Sequence, residues 1–216
     1  MCIRDSANLG ACTQPCRWQY ALVEQKRPGQ YYPILQDERG SYILSAYDLC
    51  MIGHLKELEA AGISSVKIEG RMKTAYYVAN VMNAYRRALD GKNDAKDLRA
   101  ELDKSSHRPY NTGFFFGRPQ AAYDAGDYLQ DYDFVAVVRE YDEKAQMAVV
   151  EQRNAFFKGD RLEILSPKEC FNRVITVEEM QDSEGRLMEK AILPQQVVKL
   201  FCPVRVSPMD ILRRKK

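Results

Sequence analysis

The hydrophobic pattern of this chain changes period once, and that change restricts its fold more than any other feature. Up to about residue 91 the apolar side chains recur at helical spacing between short extended runs, and from Tyr132 onward they alternate. The downstream runs are DFVAVVREYD, QMAVVEQRNAF, RLEILSP, RVITVEEM, QQVVKLFCPV and DILRRKK, separated by turns such as Glu143-Lys144, Gly159-Asp160 and Ser183-Glu184-Gly185. Short alternating runs at regular spacing predict a small antiparallel β-barrel over residues 127–216.

Upstream the reading is different. Residues 20 to 45 set aromatic and aliphatic residues around Pro28-Gly29 and Asp37 to Gly40, which predicts short strands joined by tight turns. The segment LCMIGHLKELEAAG carries Leu49, Ile52, Leu55 and Leu58 at helical spacing. With Asp48 as N-cap and Gly62 just past its end, it predicts one amphipathic helix. ISSVKIEG follows as a short strand. RMKTAYYVANVMNAYRRALDG then puts Val78, Val81, Met82, Tyr85 and Leu89 on one helical face before Gly91. Helix, strand, helix is α/β alternation, expected over residues 7–91. Residues 92–126 shift to a charged helical stretch, KNDAKDLRAELDKSS, and then to HRPYNTGFFFGRPQAAYDAG, a connector rich in glycine, proline and aromatics that separates two domains.

Composition narrows the function classes. No run of 18 apolar residues exists and no charged leader precedes an apolar stretch, so neither a membrane span nor a secretion signal is expected and the default address is cytoplasmic. In a reducing cytosol six cysteines do not read as a disulfide framework. A net charge of +2 is too small to indicate nucleic acid by itself, and the basic run Arg213 to Lys216 reads as a solvated tail. Oligomeric state is not legible.

Two groups of residues carry chemistry. In VKIEGRMKTAYY a strand gives way to a helix, the place where ligands gather in parallel α/β folds. Glu69, Gly70, Arg71 and Lys73 stand there. Arg71 can grip a carboxylate with two parallel hydrogen bonds, Lys73 can add a point charge, and Glu69 can orient Arg71 or move a proton. An anionic small molecule suits the cluster; a helix start with solvated charges is the plainer reading. The second group is Cys12, Cys16 and Cys50. C-x-x-x-C is a weaker signal than C-x-x-C and no second pair follows at zinc-ribbon spacing. Cys50 stands at the start of its predicted helix, where a thiolate is favoured, yet it also occupies an apolar position and fits an ordinary buried thiol. Three thiols make part of an iron–sulfur site, which normally takes four. His107 in the connector can face a site, whereas His54 reads as an outer-face residue. No H-E-x-x-H or G-x-S-x-G motif is present to carry a peptidase reading.

Taken together, the blocks NLGACTQPCRWQYALVEQKRPG, DERGSYILSAYDLCMI, KIEGRMKTAYYVANVMNAYRRALD, SHRPYNTGFFFG and QRNAFFKGDRLEILSP resemble the bacterial peptidase U32 family of collagenase-like proteins from about residue 7 to the end. Within that family the pattern is similar to the tRNA hydroxylation branch, whose members install 5-hydroxyuridine at the wobble position using prephenate-linked metabolism and an iron–sulfur cluster. The resemblance implies the C-terminal part of a TIM-barrel-like α/β domain over residues 7–91, followed after the connector by a β-barrel domain that docks RNA or another partner. It also implies tRNA as partner, prephenate as co-substrate and a [4Fe-4S] cluster, with Cys12 and Cys50 as the best-matched ligands and Cys16 as the contender. Glu69, Arg71 and Lys73 fall in the K-I-E-G-R-M-K block, and their role in binding an anion remains a physical inference. Family members carry a further barrel half upstream with another cysteine pair, and MCIRDS, residues 1–6, matches nothing in the pattern. The expectation is a C-terminal fragment with a non-native leader, too few cluster ligands, no activity in isolation and an exposed apolar edge. A U32 peptidase and a non-catalytic zinc-binding interaction module are the rival readings.

Overall fold

A computed structural model of the chain describes residues 20–23, 25–26, 28–29, 31–37, 40–42, 47–117 and 129–216. Two hairpins come first: β1 (Ala21–Val23) pairs antiparallel with β2 (Tyr31–Pro33), and β3 (Leu35–Asp37) with β4 (Gly40–Tyr42). They are short paired strands, as the sequence predicts.

The first helix starts later than its periodicity suggests. Asp48 is not an N-cap but the first residue of β5 (Asp48–Leu49), because its amide and that of Cys50 are bonded elsewhere. Asp48 N–H donates to Pro109 O at 3.0 Å and Cys50 N–H to Asn111 O at 2.8 Å, in a parallel pairing of β5 with a strand at Tyr110–Asn111. A 3₁₀ turn over Ile52–His54 then leads into α1 (Leu55–Ala60). Its end is as expected. Gly62 takes φ +84°, Gly62 N–H donates to Glu59 O and Ile63 N–H to Leu58 O, which satisfies the last carbonyls of the helix. ISSVKIEG forms no ladder: among the described residues no strand lies beside it, and Ile63 and Val66 are exposed.

α2 (Ala75–Leu89) is capped by Thr74, whose hydroxyl accepts from Tyr77 N–H at 3.2 Å. Its buried arc differs from the predicted stripe. Val81 is buried, but Met82 and Leu89 are 51% and 54% exposed, while Tyr76, Asn80 and Arg87 are buried. The cause is that α2 is covered from two sides. Tyr77, Val81 and Ala84 pack with Cys50, Ile52 and α3 (Ala95–Leu102), and Tyr76 packs against Leu165 and Ile211 of the C-terminal sheet. The connector contributes β6 (Tyr110–Asn111), the strand that pairs with β5.

The C-terminal part comprises β7 (Tyr132–Asp142), β8 (Met147–Gln152), β9 (Phe156–Phe157), β10 (Arg161–Leu165), β11 (Val174–Thr176), β12 (Met180–Gln181), β13 (Leu187–Met188), β14 (Lys190–Ala191), β15 (Val197–Phe201) and β16 (Ile211–Lys215). Eight of these form one antiparallel sheet in the order β11-β10-β16-β7-β8-β15-β12-β13, and β9 and β14 form a separate ribbon. Bulges between Leu212 and Arg213 and between Val138 and Glu140 bend it. The result is a curled half-barrel around Val135, Val150, Phe156, Leu162, Ile164 and Leu200. The expected barrel does not close, because the edge strands β11 and β13 are three and two residues long and no ladder joins them. The parallel α/β barrel half is likewise not assembled among the described residues, whose parallel pairing is β5 with β6.

The basic tail is corrected in its first half, while Lys215 and Lys216 are exposed as expected. β16 lies inside the sheet between β10 and β7, and Ile211, Leu212 and Arg213 are all buried. Leu212 faces the half-barrel core while Ile211 packs under α2, so the strand is covered on both faces. Arg214 Nη1 donates to Asp160 Oδ2 at 2.5 Å rather than standing in solvent. Among the described residues no helix is long and apolar enough to cross a membrane.

Candidate active site

A cavity of about 550 Å³ opens between β5, α1, α2 and residues 63–73. The β5–β6 pairing builds its polar end by bringing Arg108 beside Asp48. Arg108 N–H donates to Asp48 Oδ2 at 3.1 Å, and its Nε lies 3.6 Å from Oδ1. Lys73 reaches the same carboxylate from the start of α2, with Nζ 3.3 Å from Asp48 Oδ2 and 3.4 Å from Ser106 O, above the ring of Tyr77. One carboxylate thus holds two cations in place and neutralises one of them.

The turn before α2 closes the cavity rim. Glu69 Oε1 accepts from Arg71 N–H at 2.8 Å, so the turn is folded back on itself and Glu69 orients the backbone of Arg71. Gly70 is held close to α2, where an added Cβ would come 2.8 Å from Val78 Cγ2. Lys67, Arg71, Lys73 and Arg108 all line the cavity with two carboxylates, Asp48 and Glu69, an excess of two positive charges. The field of that balance inside the cavity is positive.

Cys50 forms part of the apolar floor and is 8% exposed. Tyr85 Oη accepts from Met51 N–H at 3.0 Å and donates to Cys50 Sγ at 3.8 Å. Burial, reinforced by Cys50, pushes the Tyr85 phenol well above its ordinary range. Burial likewise raises Tyr110 and Tyr77. These phenols therefore stay protonated at neutral pH.

The structure brings Cys50, Glu69, Arg71 and Lys73 to one cavity. It places His107 elsewhere: the ring is 2% exposed, Nε2 lies 3.2 Å from Asp103 Oδ1, Nδ1 lies 2.7 Å from Arg108 O, and Tyr110 stacks on it at 4.3 Å. His107 orders the segment that carries Arg108. His54 bonds Glu57 on the outer side of α1. Cys12 and Cys16 lie outside the described residues. Among the described residues no group of three or more His, Cys, Asp and Glu side chains is arranged to hold a metal ion. Cys50 alone supplies one sulfur, so these residues do not by themselves fit an iron–sulfur cluster or a zinc site, and no chemical step is assigned to either. Cys170 and Cys202 belong to the half-barrel core, and burial pushes their thiols up, Cys202 to about 11. Sequence reasoning missed three residues here. Helix periodicity makes Asp48 a cap and Tyr85 a core residue, and Arg108 stands beside a more conspicuous histidine, although the run Y-D-L-C sets an acid two residues from the thiol.

Comparison with known proteins gives the following. The family described as "Peptidase family U32" matches residues 1–125, and "Peptidase family U32 C-terminal domain" matches residues 130–213. The tRNA hydroxylation protein P1 of Bacillus subtilis is 36% identical over 228 residues, covering 100% of this chain and 53% of that protein. The tRNA hydroxylation protein P of Escherichia coli is 30% identical, covering 94% of this chain and 54% of its own. A Porphyromonas gingivalis protein named collagenase is 35% identical over 116 residues, covering 52% of this chain and 27% of that protein. The crystal structure of the C-terminal domain of a candidate U32 peptidase from Geobacillus thermoleovorans is 32% identical and covers 39% of this chain and 92% of its own, with a TM-score of 0.36. The chain spans about half the length of the curated tRNA hydroxylation relatives it matches along most of its length.

Proposed function

The chain belongs to peptidase family U32, and from that premise we propose that it is part of a tRNA-modifying protein that hydroxylates the wobble uridine at C5. The observation that carries the reading is the alignment of the whole chain with a tRNA hydroxylation protein at 36% identity. The cavity supports it with a cationic chamber for a small anion, for which we propose prephenate, a dicarboxylate. Lys73 and Arg108 would hold its carboxylates, Asp48 keeps both cations aimed, and Tyr85 and Tyr110 offer neutral phenols. The proposed iron–sulfur cluster would draw on Cys50 with Cys12 and Cys16, supplying the redox chemistry that side chains alone lack. Such a protein would work in the cytoplasm, beside its tRNA.

The test is nucleoside mass spectrometry of tRNA from the natural host with and without the gene that encodes this chain. Loss of 5-hydroxyuridine and its derivatives on deletion is expected, and an unchanged nucleoside profile would overturn the reading. Iron and acid-labile sulfide in anaerobically prepared protein, compared with Cys50→Ser, test the cluster, and tight zinc without iron would point to an interaction module instead. A peptidase reading has the collagenase relative behind it. It needs a nucleophile beside a base, and the Cys50 sulfur meets a tyrosine hydroxyl, while His107 is engaged by Asp103 and a backbone carbonyl.

A further inference from the structure

Beside the cavity, three consecutive phenylalanines form an exposed turn. Phe114, Phe115 and Phe116 are 79%, 54% and 62% exposed, and Phe115 lines the cavity itself. Leaving three adjacent aromatic rings in water forgoes a large burial gain, and such a cluster marks an interaction site more often than a lone exposed apolar residue does.

The turn that carries them is fixed at its root. β6 is paired with β5, Cys50 N–H is bonded to Asn111 O, and Asn111 Oδ1 accepts from Gly113 N–H at 3.0 Å. Gly113 takes φ +58° with its Cα side against Leu49, where a Cβ would come 3.2 Å from Cδ1. Phe115 N–H then bonds to Thr112 O, and Phe116 lies 4.5 Å from the His54 ring. The rings thus stand on the strand pair that also sets Cys50 and Asp48, so they keep a defined position relative to the cavity floor.

Aromatic faces beside cations form the chemistry that holds unpaired nucleotides, with bases stacked and phosphates paired. Lys67 and Arg71 line the same cavity, and among the described residues neither side chain is engaged in an ion pair. A membrane surface or an apolar peptide would use the rings but would leave the cavity and its positive excess unexplained. We infer that the Phe114–Phe116 turn is a stacking platform for an unpaired RNA base beside the cavity, with Arg71 and Lys67 contacting the adjoining phosphates. The inference rests on the tRNA reading and deepens it: the target base leaves the anticodon loop and is held against Phe115 above the anion-binding floor.

The test uses the whole chain, a short RNA hairpin whose loop carries 2-aminopurine, and a blunt RNA duplex without a loop. Wild type is expected to bind the hairpin and change the 2-aminopurine fluorescence on stacking. Phe115→Leu is expected to weaken hairpin binding by about tenfold and abolish the fluorescence change, with duplex affinity unaltered. Phe115→Trp should restore both, and Phe157→Leu, an exposed ring in the half-barrel, should behave as wild type. Equal hairpin binding by wild type and Phe115→Leu would overturn the platform and leave the tRNA reading standing. Equal weakening of hairpin and duplex would overturn it as well, since a stacking contact distinguishes the two. Failure of wild type to bind either RNA would overturn the tRNA reading and the platform with it.

Discussion

Arg213 Nη2 lies 2.5 Å from Glu101 Oε1, and the two side chains are 0% and 2% exposed. The pair joins the last described strand of the half-barrel to α3, across the boundary between the two family domains. Glu163 and Lys104 complete it: Arg213 Nε donates to Glu163 Oε1 at 2.8 Å, and Lys104 Nζ lies 2.6 Å from the same oxygen and 2.9 Å from Glu101 Oε2. Asn80 Oδ1 and Asn172 Oδ1 take further guanidinium protons. Two acids balance two bases, so removing one cation leaves an uncompensated buried carboxylate. Arg213→Ala should cost about 3 kcal/mol or more in urea unfolding, and Arg213→Met combined with Glu101→Leu should recover most of it, because Glu163 and Lys104 then remain a balanced pair.

The same network sets the acid limb of stability. Burial alone would raise the Glu101 pKa, but Arg213 and then Lys104 more than offset it and hold the carboxyl below its ordinary value. A depressed folded pKa means that the contribution is present above the unfolded pKa, about 4.3, and is lost as pH falls through the folded value. Urea midpoints should therefore decline from about pH 5 downward, and Glu101→Gln, less stable at pH 7, should show a flatter acid limb.

At the cavity rim, Gly70→Ala introduces a Cβ 2.8 Å from Val78 Cγ2. Valine has no flexible end to swing aside, so the turn bearing Glu69 and Arg71 must move away from α2. A loss of about 1–3 kcal/mol is expected in thermal or urea melts. Val78→Ala in the same chain should relieve the clash, which a purely conformational role of Gly70 would not allow.

Tyr85 joins two functions in one hydroxyl. Tyr85→Phe removes the acceptor of Met51 N–H and the donor to Cys50 Sγ while leaving the ring in place. The stranded amide should cost about 1–3 kcal/mol, and hydrogen exchange at Met51 should accelerate more than at Val81, which sits in the same core but keeps its helical bond.

How much of this was legible depends on whether a residue's partners were near it in sequence. The strands of the half-barrel and the helices at 75–89 and 95–102 follow from local periodicity, and Gly62 ends α1 as its position implies. Asp48 escaped because its partners, Lys73 and Arg108, lie 25 and 60 residues away, and only the β5–β6 pairing brings them together. Arg213 escaped for a related reason. A basic run reads as solvated unless the helices that cover it are known. Glu69, Arg71 and Lys73 stand out in the sequence on a strand-to-helix turn whose strand does not form; the turn before α2 and the start of that helix bring them to the cavity instead, and Cys50, which reads as a thiol at a helix start, stands after β5. Nothing local told that Cys50 would meet a phenol.

The central position of β16 has a consequence for how the chain is made. A ribosome that has not yet translated residue 211 has produced β7 and β10 with nothing between them, so the sheet stays split and α2 and α3 have no arginine to close upon. The half-barrel and its joint to the helices therefore form together, after synthesis has passed β16. Until then two unpaired strand edges and the apolar underside of α2 face the solvent. During that interval those edges and that apolar face are open to pairing with other chains.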